Sequence, residues 1–344
     1  MGIIKANELN RTHRAFTTRG RDSTERIRKR IVPMVILSPV VEVVLPIFMV
    51  IALGYFVGIR RWIGESSVQG LSIYVFNIAV PLLLFKSMSV VTLPEMLPWR
   101  GVIGYFGCAI GLLISIFFVA RFWLRDNATA GIFAFCSSYG NFIPLGIPLV
   151  LMAFGDEATV PLFILVALQA PLFFPIMILI QERARAREHR DPMQWPVLKS
   201  VIRNQFLLGI GLGAAINIAG VPLPPVLVTS LDLIGRSAGP AALFTVGAAL
   251  SFYPIRGVLR SVAVIVVVKN VLLPLLVWQV AKWLGLPHLW QAVMVVMAAL
   301  PVGINGYLFA ERYKCAQPLA GSAAVISMGV SLVTLSVVLA LVKV

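Results

Sequence analysis

Two long apolar stretches of this sequence are interrupted near their centres by residues that break helices. The first lies between Asp126 and Asp156, which bracket 29 uncharged residues, and the second runs without a charge from Trp283 to Ala310. The interrupting residues are Gly140, Asn141, Pro144, Gly146 and Pro148 in the first stretch, and Pro301, Gly303, Asn305 and Gly306 in the second. Each stretch exceeds the roughly 20 apolar residues that a helix needs to cross a bilayer, yet neither can be one regular helix.

An interruption inside a membrane span frees backbone amides and carbonyls that lipid cannot satisfy. Such irregular backbone is tolerated only where it is buried in protein or lines a cavity, and in secondary transporters that cavity holds the substrate. The alternative is that each motif is an ordinary loop between two short buried helices. The half-stretches are too short to cross a membrane alone, which favours the transporter interpretation.

Composition also favours a membrane protein. Of the 344 residues, 59% are hydrophobic and 12% are charged, compared with roughly 25% charged residues in a soluble domain. The net charge of +15 resides in short gaps between apolar runs and in an N-terminal tail, which is typical of topology signals and not of a nucleic-acid-binding face. The three cysteines, Cys108, Cys136 and Cys315, have no paired spacing, so we expect neither a disulfide framework nor a metal site. We also expect no cofactor.

Apolar runs of about 20 residues predict ten membrane spans in an all-α integral membrane protein. A count of eight or nine is the alternative, because Pro222, Pro224 and Pro225 interrupt the region of the sixth and seventh spans. The predicted spans are 40–59, 67–88, 101–122, 128–154, 159–181, 204–220, 234–253, 257–282, 289–311 and 319–342.

An internal repeat favours ten. The segment 81–85 (PLLLF) in the second span returns as 240–244 (PAALF) in the seventh, and 98–102 (PWRGV) before the third returns as 254–258 (PIRGV) before the eighth. The interrupted fourth and ninth spans then also correspond. Because five is odd, the second half enters the membrane from the opposite side, so we predict two inverted five-helix repeats whose broken helices cross near the midplane.

This division gives four regions: a basic tail over 1–33, predicted to be disordered, a first repeat over 34–181, a basic loop over 182–203 and a second repeat over 204–344. The gaps after odd-numbered spans hold 14 Lys and Arg residues, and the other gaps with the C-terminal end hold five. The positive-inside rule therefore predicts a cell-membrane protein with the 182–203 loop in the cytoplasm and both termini outside. The N-terminal tail argues against this orientation, since adding its nine basic residues to the five would equal the 14 on the predicted cytoplasmic side.

The residue pattern over 44–342 resembles the auxin efflux carrier family, which includes plant auxin carriers and bacterial carriers of malonate-like acids. That resemblance implies ten helices in two inverted five-helix repeats, with broken helices four and nine crossing. The matching residues are Leu45-Pro46, Gly54-Tyr55, Phe76-Asn77, Pro81, Leu84-Phe85, Gly140-Asn141, Gly146-Ile147-Pro148, Lys269, Pro274, Leu300-Pro301, Asn305 and Ala310-Glu311-Arg312-Tyr313.

The chemistry expected at the crossing follows from the helix ends. A helix N-terminus carries about half a positive charge and free amides, which suit a carboxylate, whereas exposed carbonyls suit a cation or a donor. Asn141 and Asn305 can each donate and accept hydrogen bonds. They either bind substrate or satisfy the broken backbone, and one residue can do both.

Lys269 is the only charged residue between Arg260 and Lys282, so it lies well inside the eighth span. An ionisable group there costs about 2.5 to 3.5 kcal/mol on insertion scales. Either the side chain snorkels to the membrane surface, or it supplies a fixed positive charge beside the crossover. In the second case it attracts an anion or occupies the place of a coupling cation.

These observations predict a secondary transporter that moves a small organic anion, a carboxylate or dicarboxylate, by alternating access. Its partners are that substrate and the lipid bilayer, without nucleic acid, and a homodimer is left open. An anion-conducting channel is one alternative. An intramembrane enzyme is disfavoured, because the sequence has no HExxH motif and no carboxylate pair in a span, and its three histidines lie outside the apolar cores.

Overall fold

The computed structural model describes residues 40–91, 98–187, 205–253 and 259–342. The basic tail, most of the 182–203 loop and the repeated segment 254–258 lie outside these residues. The described chain is helical, and its only β-type pairing is one isolated bridge. The helices, in chain order, are α1 (Val40–Val44 and Leu45–Ile59), α2 (Glu65–Tyr74, Val75–Ala79 and Val80–Val90), α3 (Trp99–Leu124), α4 (Asn127–Ser138), α5 (Phe142–Gly146 and Ile147–Phe154), α6 (Thr159–Arg187), α7 (Gln205–Ile218), α8 (Pro225–Leu250), α9 (Leu259–Val267, Val268–Leu272 and Leu273–Trp283), α10 (His288–Ala299), α11 (Asn305–Arg312) and α12 (Gln317–Val342).

Seven helices in the described part of the chain are long and apolar enough to cross a membrane: α1, α2, α3, α6, α8, α9 and α12. Three shorter apolar helices, α5, α7 and α10, accompany them. The two interrupted stretches are thus each divided into a pair of short helices, α4 with α5 and α10 with α11. This architecture is that of a multi-pass helical membrane protein.

One predicted boundary is wrong. The sequence predicts a seventh span over 234–253, in the region that the prolines at 222, 224 and 225 interrupt, but α8 begins at Pro225. Proline is favoured in the first turn of a helix, where its missing N–H has no intrahelical partner to lose. Pro225 therefore starts the helix.

Four π-helical turns each precede a proline by two positions. They are Val40–Val44 before Pro46, Val75–Ala79 before Pro81, Phe142–Gly146 before Pro148 and Val268–Leu272 before Pro274. Proline cannot donate to the carbonyl four residues earlier, so the ladder shifts there to bonds spanning five residues, as from Val80 N–H to the Val75 carbonyl. Asn77 and Lys269 both lie within such turns.

Glycines bring two pairs of helices into backbone contact. In α1 and α8, Gly54 packs on the backbone of Phe244, and Gly247 packs on the backbone of Ile51. In α2 and α7, Gly209 lies where a Cβ atom would be 2.5 Å from the Pro81 carbonyl oxygen. The close contact expected of small residues in membrane helices thus joins α1 to α8 and α2 to α7.

Contacts between helix ends define two sides of the molecule. On one side, the Tyr313 hydroxyl donates to Glu182 Oε1 at 3.0 Å, and Gln181 Nε2 donates to the Ala128 carbonyl at 2.9 Å. On the other side, Asn217 Nδ2 donates to the Val91 carbonyl at 2.7 Å. The end of α6 that leads into the basic loop therefore lies beside the start of α4 and the end of α11.

Candidate functional site

The two helix breaks lie against each other and pair through their backbones. The Asn141 amide donates to the Pro301 carbonyl at 3.0 Å, and the Gly303 amide donates to the Tyr139 carbonyl at 2.9 Å. Gly140 and Val302 consequently form an isolated antiparallel bridge. Groups that the interruptions free from the helical ladder thus become each other's partners, as buried backbone requires.

A buried serine and asparagine hold the second break from the side. The Val302 amide donates to Ser327 Oγ of α12 at 2.9 Å, and that hydroxyl donates to Asn270 Oδ1 of α9 at 2.7 Å. Both side chains are at most 2% exposed. Ser327 and Asn270 are not among the residues predicted from the sequence, where each is marked only as a polar residue inside an apolar span.

The first break is held by α6. Gln169 Nε2 donates to the Gly140 carbonyl at 3.0 Å, and the same oxygen accepts the Phe142 amide at 3.0 Å. Gln169 is 4% exposed. The end of α4 therefore leaves this carbonyl satisfied inside the protein.

Lys269 closes the end of α10. Its Nζ atom donates to the Ala298 carbonyl at 2.6 Å and to the Leu300 carbonyl at 2.7 Å. The residue is 0% exposed, so its side chain does not reach the membrane surface. Nζ also lies 3.4 Å from the position that a Cβ atom on Gly140 would take. A cation at a helix C-terminus offsets the partial negative charge of the carbonyls there.

A cavity of about 240 Å³ lies at the contact of the two breaks. Four of the sequence-predicted residues line it: Gly140, Asn141, Pro144 and Asn305. The remaining lining residues come from α2, α6, α7 and the segments around the breaks; they are Phe76, Asn77, Tyr139, Phe142, Ile143, Gln169, Gln205, Phe206, Ile304 and Leu308.

The cavity wall offers hydrogen-bonding groups and two helix N-termini. Asn141 is 4% exposed, and its side-chain amide has no hydrogen-bond partner among the described residues. Asn305 Nδ2 donates to the Tyr139 hydroxyl at 3.1 Å, which leaves its carbonyl oxygen for another donor. The first residues of α5 and α11 both line the cavity, so the positive ends of two helix dipoles lie at it.

The other predicted residues shape the crossing without lining the cavity. Pro301 and Gly303 take part in the backbone pairing. A Cβ atom on Gly303 would lie 2.6 Å from Tyr139 Cδ1, one on Gly306 would lie 2.6 Å from Cys136 Sγ, and one on Gly146 would lie 2.8 Å from Leu300 Cδ1. Pro148 lies in the first turn of the second segment of α5, and Lys269 Nζ lies close to Gly140. These residues permit the close approach of the two broken helices.

A second, polar cavity of about 460 Å³ lies further along α2 and α6. Nine residues separate Asn77 from Lys86 on α2, and nine separate Gln169 from Val160 on α6, which corresponds to about 13 Å of helix. Its lining residues are Lys86, Ser87, Val90, Val91, Asp156, Glu157, Thr159 and Val160.

Between the residues that line the two cavities, both helices carry only apolar residues, over 78–85 of α2 and 161–168 of α6, and the two helices are in contact; we call these residues the apolar layer. By helical spacing, Val80 and Leu84 of α2 share a face with Ser87, and Leu162 and Val166 of α6 share a face with Gln169. All four apolar residues are at most 5% exposed.

Comparisons with known proteins agree with this architecture. Residues 39–339 match the family described as "Membrane transport protein". A Rhizobium meliloti (strain 1021) protein named "Putative malonate transporter" is 24% identical over 311 residues, which cover 89% of this chain and 97% of the relative. "Uncharacterized transporter YfdV" of Escherichia coli (strain K12) is 23% identical over 279 residues, which cover 78% of this chain and 87% of the relative. The chain therefore belongs to the membrane transport protein family, the auxin efflux carrier family that its sequence motifs resemble.

Proposed function

We propose that this protein is a secondary transporter that binds a small organic anion, a carboxylate or dicarboxylate, in the 240 Å³ cavity at the helix breaks. One observation carries the proposal. The buried Asn141 amide, without a partner in the described chain, lines the same cavity as the N-termini of α5 and α11. A carboxylate accepts hydrogen bonds from a side-chain amide and is stabilised by the positive ends of helix dipoles.

The charge distribution at the crossing favours an anion over a cation. The negative end of α10 is already occupied by the Lys269 ammonium, and the Gly140 carbonyl after α4 accepts from Gln169 and Phe142. The positive ends of α5 and α11 have no such counter-charge at the cavity wall described above. An anion is therefore the ligand that the positive ends of these two helix dipoles attract.

The cavity volume and the relatives narrow the ligand class. About 240 Å³ is below the roughly 300–1,000 Å³ of clefts that hold drug-sized molecules. Malonate, which the name of the Rhizobium relative carries, is a small dicarboxylate. We infer that this chain takes an acid of that kind.

Alternating access gives the apolar layer between the cavities its role. While Val80, Leu84, Leu162 and Val166 stay packed, substrate cannot pass from the 240 Å³ cavity to the 460 Å³ cavity. Separation of α2 from α6 would open that route, and closure at the other side of the cavity would complete the cycle.

The arrangement in the membrane is part of the proposal. In ten spans arranged as two inverted repeats, α1 corresponds to α7 and α2 corresponds to α8. The repeat relation therefore turns the contact of α1 with α8 into the contact of α2 with α7, which accounts for both pairings. The crossing of the fourth and ninth spans has the same property. We place the protein in the cell membrane with the 182–203 loop in the cytoplasm.

Thermal unfolding of the purified protein across a panel of mono- and dicarboxylates tests the proposal. A ligand that binds only the folded state raises the free energy of unfolding by RT ln(1 + [L]/Kd), so the unfolding temperature should rise with ligand concentration, and Asn141→Ala should remove that effect. Asn217→Ala is the matched control, since its amide bonds carbonyls at a helix end. No stabilisation by any acid at millimolar concentration would refute the anion site. A continuous conductance in planar bilayers would show a channel instead.

A further inference from the structure

A groove on the outer surface joins the C-terminal ends of α3 and α6. Its volume is about 250 Å³. It lies on the side of the molecule from which the basic 182–203 segment leaves α6. The lining residues are Phe117, Phe118, Arg121, Asn127, Ile176, Leu179, Ile180, Arg183 and Ala184.

The groove is apolar along its length and basic at its end. Phe118 is 60% exposed and Leu179 is 50% exposed, although both lie in helices that cross the membrane. Arg121 and Arg183 lie one turn or more further toward the ends of α3 and α6. A hydrocarbon surface that ends in charge, at the level where a span leaves the membrane, has the polarity profile of a lipid molecule.

Both guanidinium groups are exposed, and neither makes an ion pair within the described parts of the chain. The neighbouring carboxylates are engaged elsewhere. Asp126 accepts the amides of Ala128 and Thr129 at 3.1 Å and 2.9 Å, and Glu182 accepts the Tyr313 hydroxyl. The two arginines therefore place two guanidinium charges over one groove, without an ion-pair partner in the described parts of the chain.

A simpler account is that these arginines only offset the helix dipoles or set the topology. Either role suits a basic residue at the C-terminal end of a span. Neither role requires that arginines from two helices line one apolar groove together with the Asn127 amide. Arg125 provides the contrast, because it caps the end of α3 on the same side without lining the groove.

We propose that this groove is a binding site for an anionic phospholipid. Arg121 and Arg183 hold the phosphate through charge-assisted hydrogen bonds, and an acyl chain lies along Phe117, Phe118 and Leu179. The bilayer supplies both parts of this ligand at the depth where the groove lies. The site is separate from the cavity at the helix breaks and does not depend on which substrate the protein carries.

The test measures unfolding temperature of the full chain in detergent during titration with short-chain phosphatidylglycerol or phosphatidylcholine. Phosphatidylglycerol should stabilise the protein at lower concentration than phosphatidylcholine. In the Arg121→Gln/Arg183→Gln variant the half-saturating phosphatidylglycerol concentration should rise about 30-fold, because each arginine near an anionic surface contributes about fivefold. Phosphatidylcholine titration should change little.

Arg125→Gln is the matched control, since it removes the same charge from the same side of α3. If Arg125→Gln raised the half-saturating phosphatidylglycerol concentration as much as the double variant, the binding would reflect general attraction to anionic lipid and not a defined site. That result would overturn the proposal. So would stabilisation by inorganic phosphate equal to that by phosphatidylglycerol, which would indicate a free-anion site. If the double variant does not fold, Arg121→Gln and Phe118→Ala, each changing one exposed side chain, must both weaken phosphatidylglycerol binding for the proposal to stand.

Discussion

The Lys269 ammonium lies 2.6 Å from the Ala298 carbonyl oxygen, so the one charge inside the eighth span closes the end of the first half of the ninth. This contact joins α9 to α10 and carries the positive charge to within 3.4 Å of the place where a Cβ atom on Gly140 would be. We therefore expect stability and the proposed anion attraction to depend on the same atom.

Replacing Lys269 should therefore affect both properties. Lys269→Met keeps most of the volume but leaves the carbonyls of Ala298 and Leu300 without a donor, which costs about 1–3 kcal/mol for a buried group. Anion uptake into proteoliposomes should fall several-fold and the unfolding temperature should drop. Lys269→Arg should not fully restore uptake, because its planar fork differs from a compact ammonium. Lys282→Met, at the end of the same helix, is the control. If uptake and binding in Lys269→Met were undiminished, Lys269 would not attract the anion, and the helix dipoles alone would remain as the source of that attraction.

Asn141 and Asn305 should differ in what their loss costs. Asn141→Ala removes an amide without a partner in the described structure, so binding should weaken about tenfold while stability holds. Asn305→Ala also breaks the 3.1 Å bond to Tyr139, so it should weaken binding and lower the unfolding temperature. Ligand titration and unfolding of the same samples separate the two effects. Normal transport by both variants would remove them from the site.

Ser327 should be required for the geometry of the second break. Ser327→Ala leaves the Val302 amide and Asn270 Oδ1 without their partner in a buried place, a loss of about 1–3 kcal/mol in the free energy of unfolding. Ser331→Ala is the control from the next turn of α12, because its hydroxyl bonds only the Met328 carbonyl of its own helix. Equal unfolding temperatures for the two variants would contradict the role given to Ser327.

The contact between α2 and α7 makes opposite predictions for two glycines of one helix. Gly209→Ala places a Cβ atom 2.5 Å from the Pro81 carbonyl oxygen, so α7 must move away and stability should fall by about 1–3 kcal/mol. Gly211→Ala meets no atom within 4 Å and should be neutral or slightly stabilising. Unfolding of the two variants decides, and a loss in Gly211→Ala equal to that in Gly209→Ala would argue against this contact.

Topology can be read with cysteine labels on a background without Cys108, Cys136 and Cys315. Labels in the 182–203 loop should react only from the cytoplasm, and labels after Val342 only from outside. We expect this orientation because the gaps on the side of the 182–203 loop hold 14 Lys and Arg residues, whereas the gaps on the other side hold five. Reversed labelling would show that the basic N-terminal tail sets the orientation.

The positions of the breaks could be predicted from the sequence, since proline and glycine restrict the backbone locally. Their hydrogen-bond partners could not. The pairing of Asn141 with Pro301, and of Val302 with Ser327, depends on how distant helices pack, which apolar periodicity does not specify. The place of Lys269 in the eighth span leaves both snorkelling and burial open, and only the fold shows that the side chain is buried and bonds the end of α10.

The start of α8 shows a different limit. A cluster of prolines is compatible with a loop and equally with the first turn of a helix, and only the packing of residues 225–233 in the structure decides between them. The identity of the acid that we propose as substrate depends in turn on the shape of the cavity, to which five separate helices contribute.

The main-chain bonds that join the two breaks do not involve the side chain of Asn141, which has no hydrogen-bond partner in the described structure. We therefore expect selectivity and architecture to be separable at this position. An exchange of the Asn141 side chain should redirect the proposed site to another acid while the backbone frame that carries it stays intact.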